Sequence, residues 1–242
     1  MSLDKLYTIE VNDAVGRDTE CPFCELEAML ERQALEFTLG SSYMESDVRE
    51  QTAEQGFCRD HMMKMYRFGN ALGNAWILKS RMEVLRKEYQ TVGTDAKKGG
   101  LTGMLQKMRG KSSSSTGITY QEDTCFVCAR IRKNKIQMME SFLYLLVNDK
   151  EFPELISHSK GFCLRHFPEL LDVAERKLSQ REKEQILPLL MDTMNRNLDR
   201  IQEDIDWFIE KYDYRNENEP WKNSKDAVQR TIQKINGIMP EV

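Results

Sequence analysis

Two stretches of the chain, "GFCRDH" at 56–61 and "GFCLRH" at 161–166, repeat the order Gly-Phe-Cys-x-x-His in a sequence with six cysteines and three histidines. Each follows a Cys-x-x-Cys pair, "CPFC" at 21–24 and "CFVC" at 125–128. The copies are offset by 104 residues at the first motif and 105 at the second, so a single inserted residue separates them. Together they use every cysteine of the chain. A duplicated ligand pattern constrains the fold more tightly than composition does, because such residues have to converge on one point.

The chemistry of that point depends on whether the thiols stay reduced. Asp4 and Glu10 interrupt the apolar core that a signal peptide would need, and no run approaches the roughly 18 apolar residues of a membrane span. A cytoplasmic protein is therefore expected, with thiols that serve as metal ligands rather than disulfides. Zinc takes four borderline-soft donors in a tetrahedron, usually from two short pairs joined by a loop. Each copy offers three cysteines and one histidine: Cys21, Cys24, Cys58 and His61 in the first, Cys125, Cys128, Cys163 and His166 in the second. Two structural zinc ions per chain are expected. Within a copy, the second motif would close a site begun about 35 residues earlier. The spacing leaves open whether Cys21 and Cys24 meet Cys58 and His61 or the ligands of the other copy.

Local chemistry favours these positions. Residues three apart at a helix start share a face, so Cys58 with His61, and Cys163 with His166, can grip one ion. The Gly before each Phe-Cys permits a sharp turn, and Pro22 suits a first helical position where the dipole favours thiolates. Three cysteines and one histidine could also hold an iron–sulfur cluster, although four thiolates are its commoner set. Haem attachment would need His directly after the second Cys, where Glu25 and Ala129 stand. A thioredoxin-like dithiol would need a strand-helix context. Four protein donors leave no position for water or substrate, so a catalytic metal is not expected. His158, the third histidine, reads as a surface residue, and no Ser-His-Asp order, phosphate loop or dinucleotide fingerprint is present. The chain reads as a non-enzyme.

Hydrophobic periodicity is helical in both halves. The predicted class is all-α: two repeated zinc-stapled helical units with long C-terminal helices, resembling a helical bundle. Leu26, Met29, Leu30 and Phe37 predict a helix that stops at Gly40, and Ile131, Met138, Met139, Phe142 and Leu146 predict its counterpart. Met65, Phe68, Leu72, Ala75, Leu78, Met82, Leu85 and Tyr89 predict one helix from about Phe57 to Tyr89, in which Gly69 and Gly73 would form a packing notch. A short helix should run to about Leu178, and Ser179 with Glu182 forms a capping box for the next, whose apolar positions reach Tyr212 with Pro188 near its start. Tyr7, Ile9 and Val11 alternate, predicting an extended arm. The expected organisation is an N-terminal arm (1–20), repeat 1 (21–91), a flexible basic linker (92–120), repeat 2 (121–215) and a C-terminal amphipathic helix (216–242) started near Ser224. Within the linker, Leu101, Met104, Leu105 and Met108 share a face flanked by Lys97, Lys98, Lys107, Arg109 and Lys111, read here as a turn of helix resting on the protein's own core.

The net charge of −4 and pI near 5.6 exclude a protein whose main task is coating a phosphate backbone. Locally, Glu20, Glu25, Glu27 and Glu31 make the first ligand helix acidic, whereas Arg130, Arg132, Lys133 and Lys135 make its counterpart basic. These are expected to be solvated faces, with pairing between them the alternative.

The segments "CPFCELEAMLERQALEFTLGSSYMESDVREQTAEQGFCRDH", "CFVCARI", "SKGFCLRHF" and "DWFIEKYDYRNENEPWKNSKDAVQRTIQKI" resemble an uncharacterised bacterial family, one of the domains of unknown function. The resemblance covers nearly the whole chain and implies a cytosolic bacterial protein, but carries no activity. Relatives are sometimes automatically named transporter substrate-binding proteins; with no expected signal peptide or lipid anchor, that reading is not adopted. The function expected is a protein-interaction or regulatory scaffold whose partner is another protein or a second copy. The alternatives are a nucleic-acid-binding regulator using "RIRKNK" and the linker, and a thiol–zinc redox switch.

Overall fold

A computed structural model describes residues 3–107 and 124–238, and their side chains except those of 91–107. The described residues form ten α-helices and no strand: α1 (Thr8–Val15), α2 (Pro22–Leu39), α3 (Ser46–Gln55), α4 (Arg59–Arg67), α5 (Ala71–Lys107), α6 (Phe126–Asn148), α7 (Phe152–His158), α8 (His166–Lys177), α9 (Gln180–Glu210) and α10 (Ala227–Asn236). The all-helical class read from the sequence is the one observed.

The helices divide into two compact units, one of Met1–Leu30 and Lys133–Val242, the other of Glu31–Arg132. The division falls inside α2 and α6. It does not follow the 21–91 and 121–215 boundaries expected from the repeat: the first unit takes "CPFC" from one copy and "GFCLRH" from the other, and the second takes the remaining two motifs.

In the first unit the core is built on phenylalanines. Phe142 of α6 lies 5.4 Å from Phe23, 5.3 Å from Phe152 and 5.5 Å from Phe162, ring centre to ring centre. All four rings are essentially inaccessible to water, and each such burial stabilises by about 2–3 kcal/mol. Leu170, Val173, Ile186, Leu190 and Met194 extend this core along α8 and α9. Ser179 caps α9 in the expected box, accepting from Glu182 N while the Glu182 carboxylate accepts from Ser179 N at 2.7 Å.

In the second unit α3 packs along α5, and Leu39, Val48, Phe57, Met65 and Ile77 are buried. Arg81 of α5 donates to Ala53 O at 2.6 Å, satisfying an otherwise open carbonyl at the end of α3.

Three local expectations differ from the structure. The predicted N-terminal arm is helix α1, because Val11, Ala14 and Val15 bury at three- and four-residue spacing, a pattern that five alternating residues are too short to outweigh. The single helix expected from Phe57 to Tyr89 is two helices, broken where Gly69 adopts φ 87°. Asn70 holds the break, accepting from Gly73 N at 2.9 Å and donating to Leu39 O at 2.6 Å, so Gly69 makes a turn and not a packing notch. Finally, α5 continues to Lys107, so 92–107 is helical where a flexible linker is expected to begin. Residues 108–120 of that linker, and the side chains of its basic stretch, lie outside the described residues.

Candidate metal centres

The eight predicted ligands form two groups, and each group draws from both copies. Cys21, Cys24, Cys163 and His166 converge in the first unit, and Cys58, His61, Cys125 and Cys128 converge in the second. Within each group the donor atoms lie within 4.8 Å of one another, and either group could hold a metal ion. A site closed within one copy, begun about 35 residues earlier, is thereby corrected: the partners of Cys21 and Cys24 lie about 140 residues away.

The local scaffolding is the same in both. Gly161 at φ 72° and Gly56 at φ 68° turn the chain before Phe-Cys, a left-handed conformation that glycine adopts without a steric cost. Cys58 is the residue before α4 and His61 lies in its first turn; Cys163 stands three residues before His166, which opens α8. Cys21 and Cys125 stand just before α2 and α6, which place Cys24 and Cys128 in their first turns. The phenylalanine of each Gly-Phe-Cys decides the pairing by packing: Phe162 stacks on Phe23 of "CPFC" at 5.7 Å, and Phe57 meets Phe126 of "CFVC" at 6.4 Å. In the second unit the backbone ties the same knot, with Phe126 N donating to Gly56 O at 3.0 Å and Thr124 Oγ1 to Gln55 O at 2.6 Å.

All six cysteines are free, and the spacing of the donors suits a tetrahedron. Bonds of about 2.3 Å to sulfur and about 2.05 Å to nitrogen imply edges of about 3.8 Å between sulfurs and about 3.6 Å from sulfur to nitrogen. Cys24 and Cys163 sulfurs are 3.7 Å apart, and those of Cys58 and Cys128 are 3.9 Å apart. His166 Nδ1 lies 3.6, 3.5 and 3.3 Å from the sulfurs of Cys21, Cys24 and Cys163. For His61 Nδ1 the distances to Cys58, Cys125 and Cys128 are 3.1, 3.4 and 3.2 Å.

With Nδ1 aimed at the sulfurs, the other ring nitrogen is left for a carboxylate. His166 Nε2 lies 3.2 Å from Glu27, and His61 Nε2 lies 3.0 Å from Glu31. An imidazole held this way is fixed in orientation and made a better ligand. Glu27 is further held by Lys135 at 3.2 Å and Arg165 at 2.6 Å, and Glu31 by Lys64 at 2.6 Å. Glu27 stands on α2 three residues after Cys24, a spacing that puts it on the cysteine's face, and Glu31 follows one turn further along the same helix. That spacing was the available signal; as part of an acidic run they read only as solvated charge. The basic run is likewise partly engaged, since Lys135 also meets Glu169 at 2.6 Å and Arg130 lies over the Phe37 ring at 3.9 Å.

Without a metal the donors share protons unevenly. Against burial, contacts with the Cys163 and Cys21 sulfurs and Glu27 push His166 up to about 11. Against burial again, Cys125 and Glu31 push His61 up to about 10. Cys125 is drawn down to about 6: burial opposes this, but the His61 contact and backbone donors outweigh it. Burial and then the charge of Cys125 push Cys128 up to about 12. Cys163 is likewise lowered by its contacts with Cys21 and Cys24, while Cys24 is raised by its contacts with Cys163 and Cys21. Each cluster therefore favours an imidazolium beside a thiolate, with protons that an incoming cation would displace.

A cavity of about 910 Å³ lined by Ile9, Asp13, Leu145, Phe152 and the exposed His158 contains none of the eight candidate ligands. Its size alone would mark it as a site, yet its lining lacks the convergent donors of the two clusters. Among the described residues no helix is long and apolar enough to cross a membrane.

No curated protein and no solved structure matches the chain. One family model does, over residues 1–242, and the chain accordingly belongs to the family of unknown function DUF6062.

Proposed function

We propose that the protein binds two structural zinc ions, one in each cluster, and acts as a non-enzymatic interaction or regulatory scaffold. The observation that carries this reading is the closure of each cluster: four protein donors within 4.8 Å of one another, with each imidazole backed by a carboxylate, are a full set for one tetrahedral ion. Soft thiolates with one imidazole favour zinc over magnesium or calcium. Zinc held by such a set contributes on the order of 10 kcal/mol to folding, enough to fix the helix starts that carry the donors. Exposed apolar side chains on the second unit, Tyr66 at 78% and Leu72 at 60%, support a protein partner in this reading. A cytoplasmic setting, where thiols stay reduced, belongs to the same reading. Elemental analysis of freshly purified protein should find two zinc ions per chain, and chelation should reduce helicity. Absence of metal would sink the proposal.

A redox role is the second reading, favoured by one observation: Cys58 and Cys128 are partly exposed to solvent. Peroxide would oxidise such thiolates first and release their zinc. Nucleic-acid binding is supported less, because Lys135 is buried in ion pairs and Arg130 covers an aromatic ring.

A further inference from the structure

We infer that Lys234 and Gly237 belong to the metal centre of the first unit, and that α10 is a lid whose docking and metal binding stabilise each other. This rests on the zinc reading above and adds to it a part of the chain some seventy residues beyond the last ligand.

Lys234 is 1% exposed. Its ammonium donates to Glu20 O at 2.9 Å and Lys160 O at 2.6 Å, and lies 3.1 Å from the Glu20 carboxylate. Glu20 directly precedes Cys21, and Lys160 stands three residues before Cys163, so one side chain ties together the two segments that present the ligands. The backbone closes the same contact, with Leu164 N donating to Lys234 O at 2.8 Å. One turn on, Gly237 ends α10 at φ 71°, and a Cβ there would stand 3.2 Å from the sulfurs of both Cys24 and Cys163. Any side chain would press on the ligand atoms themselves.

Charge explains why a lysine is buried here. Three thiolates and a neutral imidazole around a divalent cation sum to −1, and Glu20, 2% exposed, adds a second negative charge. Lys234 and Arg200, which donates to Glu20 at 2.6 Å, supply two positive charges. Buried charges are tolerated when paired and costly when one partner is lost. Metal at the ligands fixes the charge that Lys234 balances, and α10 in turn excludes water and chelators from the thiolates.

The test uses the full-length zinc-loaded protein, with a chelator titration read by mass spectrometry of alkylated cysteines so that the two centres are followed separately. In Lys234→Met, the thiols of the first unit should become reactive at about tenfold lower chelator than in the unaltered protein, with those of the second unit unchanged. Trypsin cleavage after Arg230 and Lys234 should quicken about tenfold when zinc is stripped. If Lys234→Met does not fold, Gly237→Ala is read in the same way. Equal zinc retention in these variants, or cleavage in α10 that ignores chelation, would overturn the lid while leaving two bound zinc ions intact. An unaltered protein without zinc would remove the zinc reading itself.

Discussion

The two candidate centres share a donor set and differ in burial. In the first unit all four candidate ligands are buried, with Cys21, Cys163 and His166 at 0% exposure, and Gly237, just past α10, lies against the Cys24 and Cys163 sulfurs. In the second, Cys125 and His61 are buried while Cys58 and Cys128 remain partly open. Their carboxylates differ in the same sense: Glu27 meets two cations besides His166, whereas Glu31 meets Lys64, which is itself well exposed. Identical first contacts with an ion therefore need not mean identical lability. A sealed, charge-balanced centre suits permanent architecture, and an open one can exchange ions or react.

The largest effect should come from breaking the crossed pairing itself. Cys24→Ser should lose one of two zinc ions and destabilise the fold by on the order of 5 kcal/mol, part of what a structural zinc supplies. Alkylation should then find Cys163 reactive while Cys58, Cys125 and Cys128 stay protected; reactivity at Cys58 instead would mean that ligands pair within a copy. Next in size is the difference in lability. Under dilute peroxide, or an alkylating reagent added with chelator, Cys58 and Cys128 should be modified at least several-fold faster than Cys21 and Cys163, and equal rates would erase the difference between the two centres.

Smaller effects should follow from the carboxylates. Glu27→Gln and Glu31→Gln should each weaken zinc binding about tenfold or more at their own centre, with the larger loss for Glu27. Competition against a chromophoric chelator measures both. A pH titration sharpens this further. Burial raises Glu27, but its contacts with His166, Lys135 and Arg165 hold it down at about 2, below the ordinary 4.5. The stability Glu27 contributes is thus present above pH 4.5 and lost as pH falls toward 2. Unfolding curves of metal-free protein and its Glu27→Gln variant should differ above pH 4.5 and converge near pH 2.

Much of this contrast was invisible in the sequence for energetic reasons. Closing a loop of about 140 residues instead of about 35 costs only about 1 kcal/mol more. Two identical donor sets satisfy an ion equally well in either arrangement, so ligand chemistry leaves the pairing degenerate. The choice falls to side-chain packing, Phe162 on Phe23 and Phe57 on Phe126, and packing between distant segments leaves no periodic mark. Local signals fared better. The capping box at Ser179, Pro22 opening α2 and the left-handed Gly56 and Gly161 were legible because each acts within a few residues. Gly69 shows the limit of such reading: the seven-residue rhythm runs through it, yet Asn70 and Leu39 stop the helix there.

By itself, then, the sequence determined the eight candidate donors, their duplication and the helical class, because residue type, spacing and periodicity are properties of short segments. The tertiary structure decided which halves meet, which carboxylate backs which histidine, and that Lys234 and Gly237 pack against one cluster and not the other. Those depend on the packing and charge balance of residues up to 214 positions apart, as with Lys234 and Glu20.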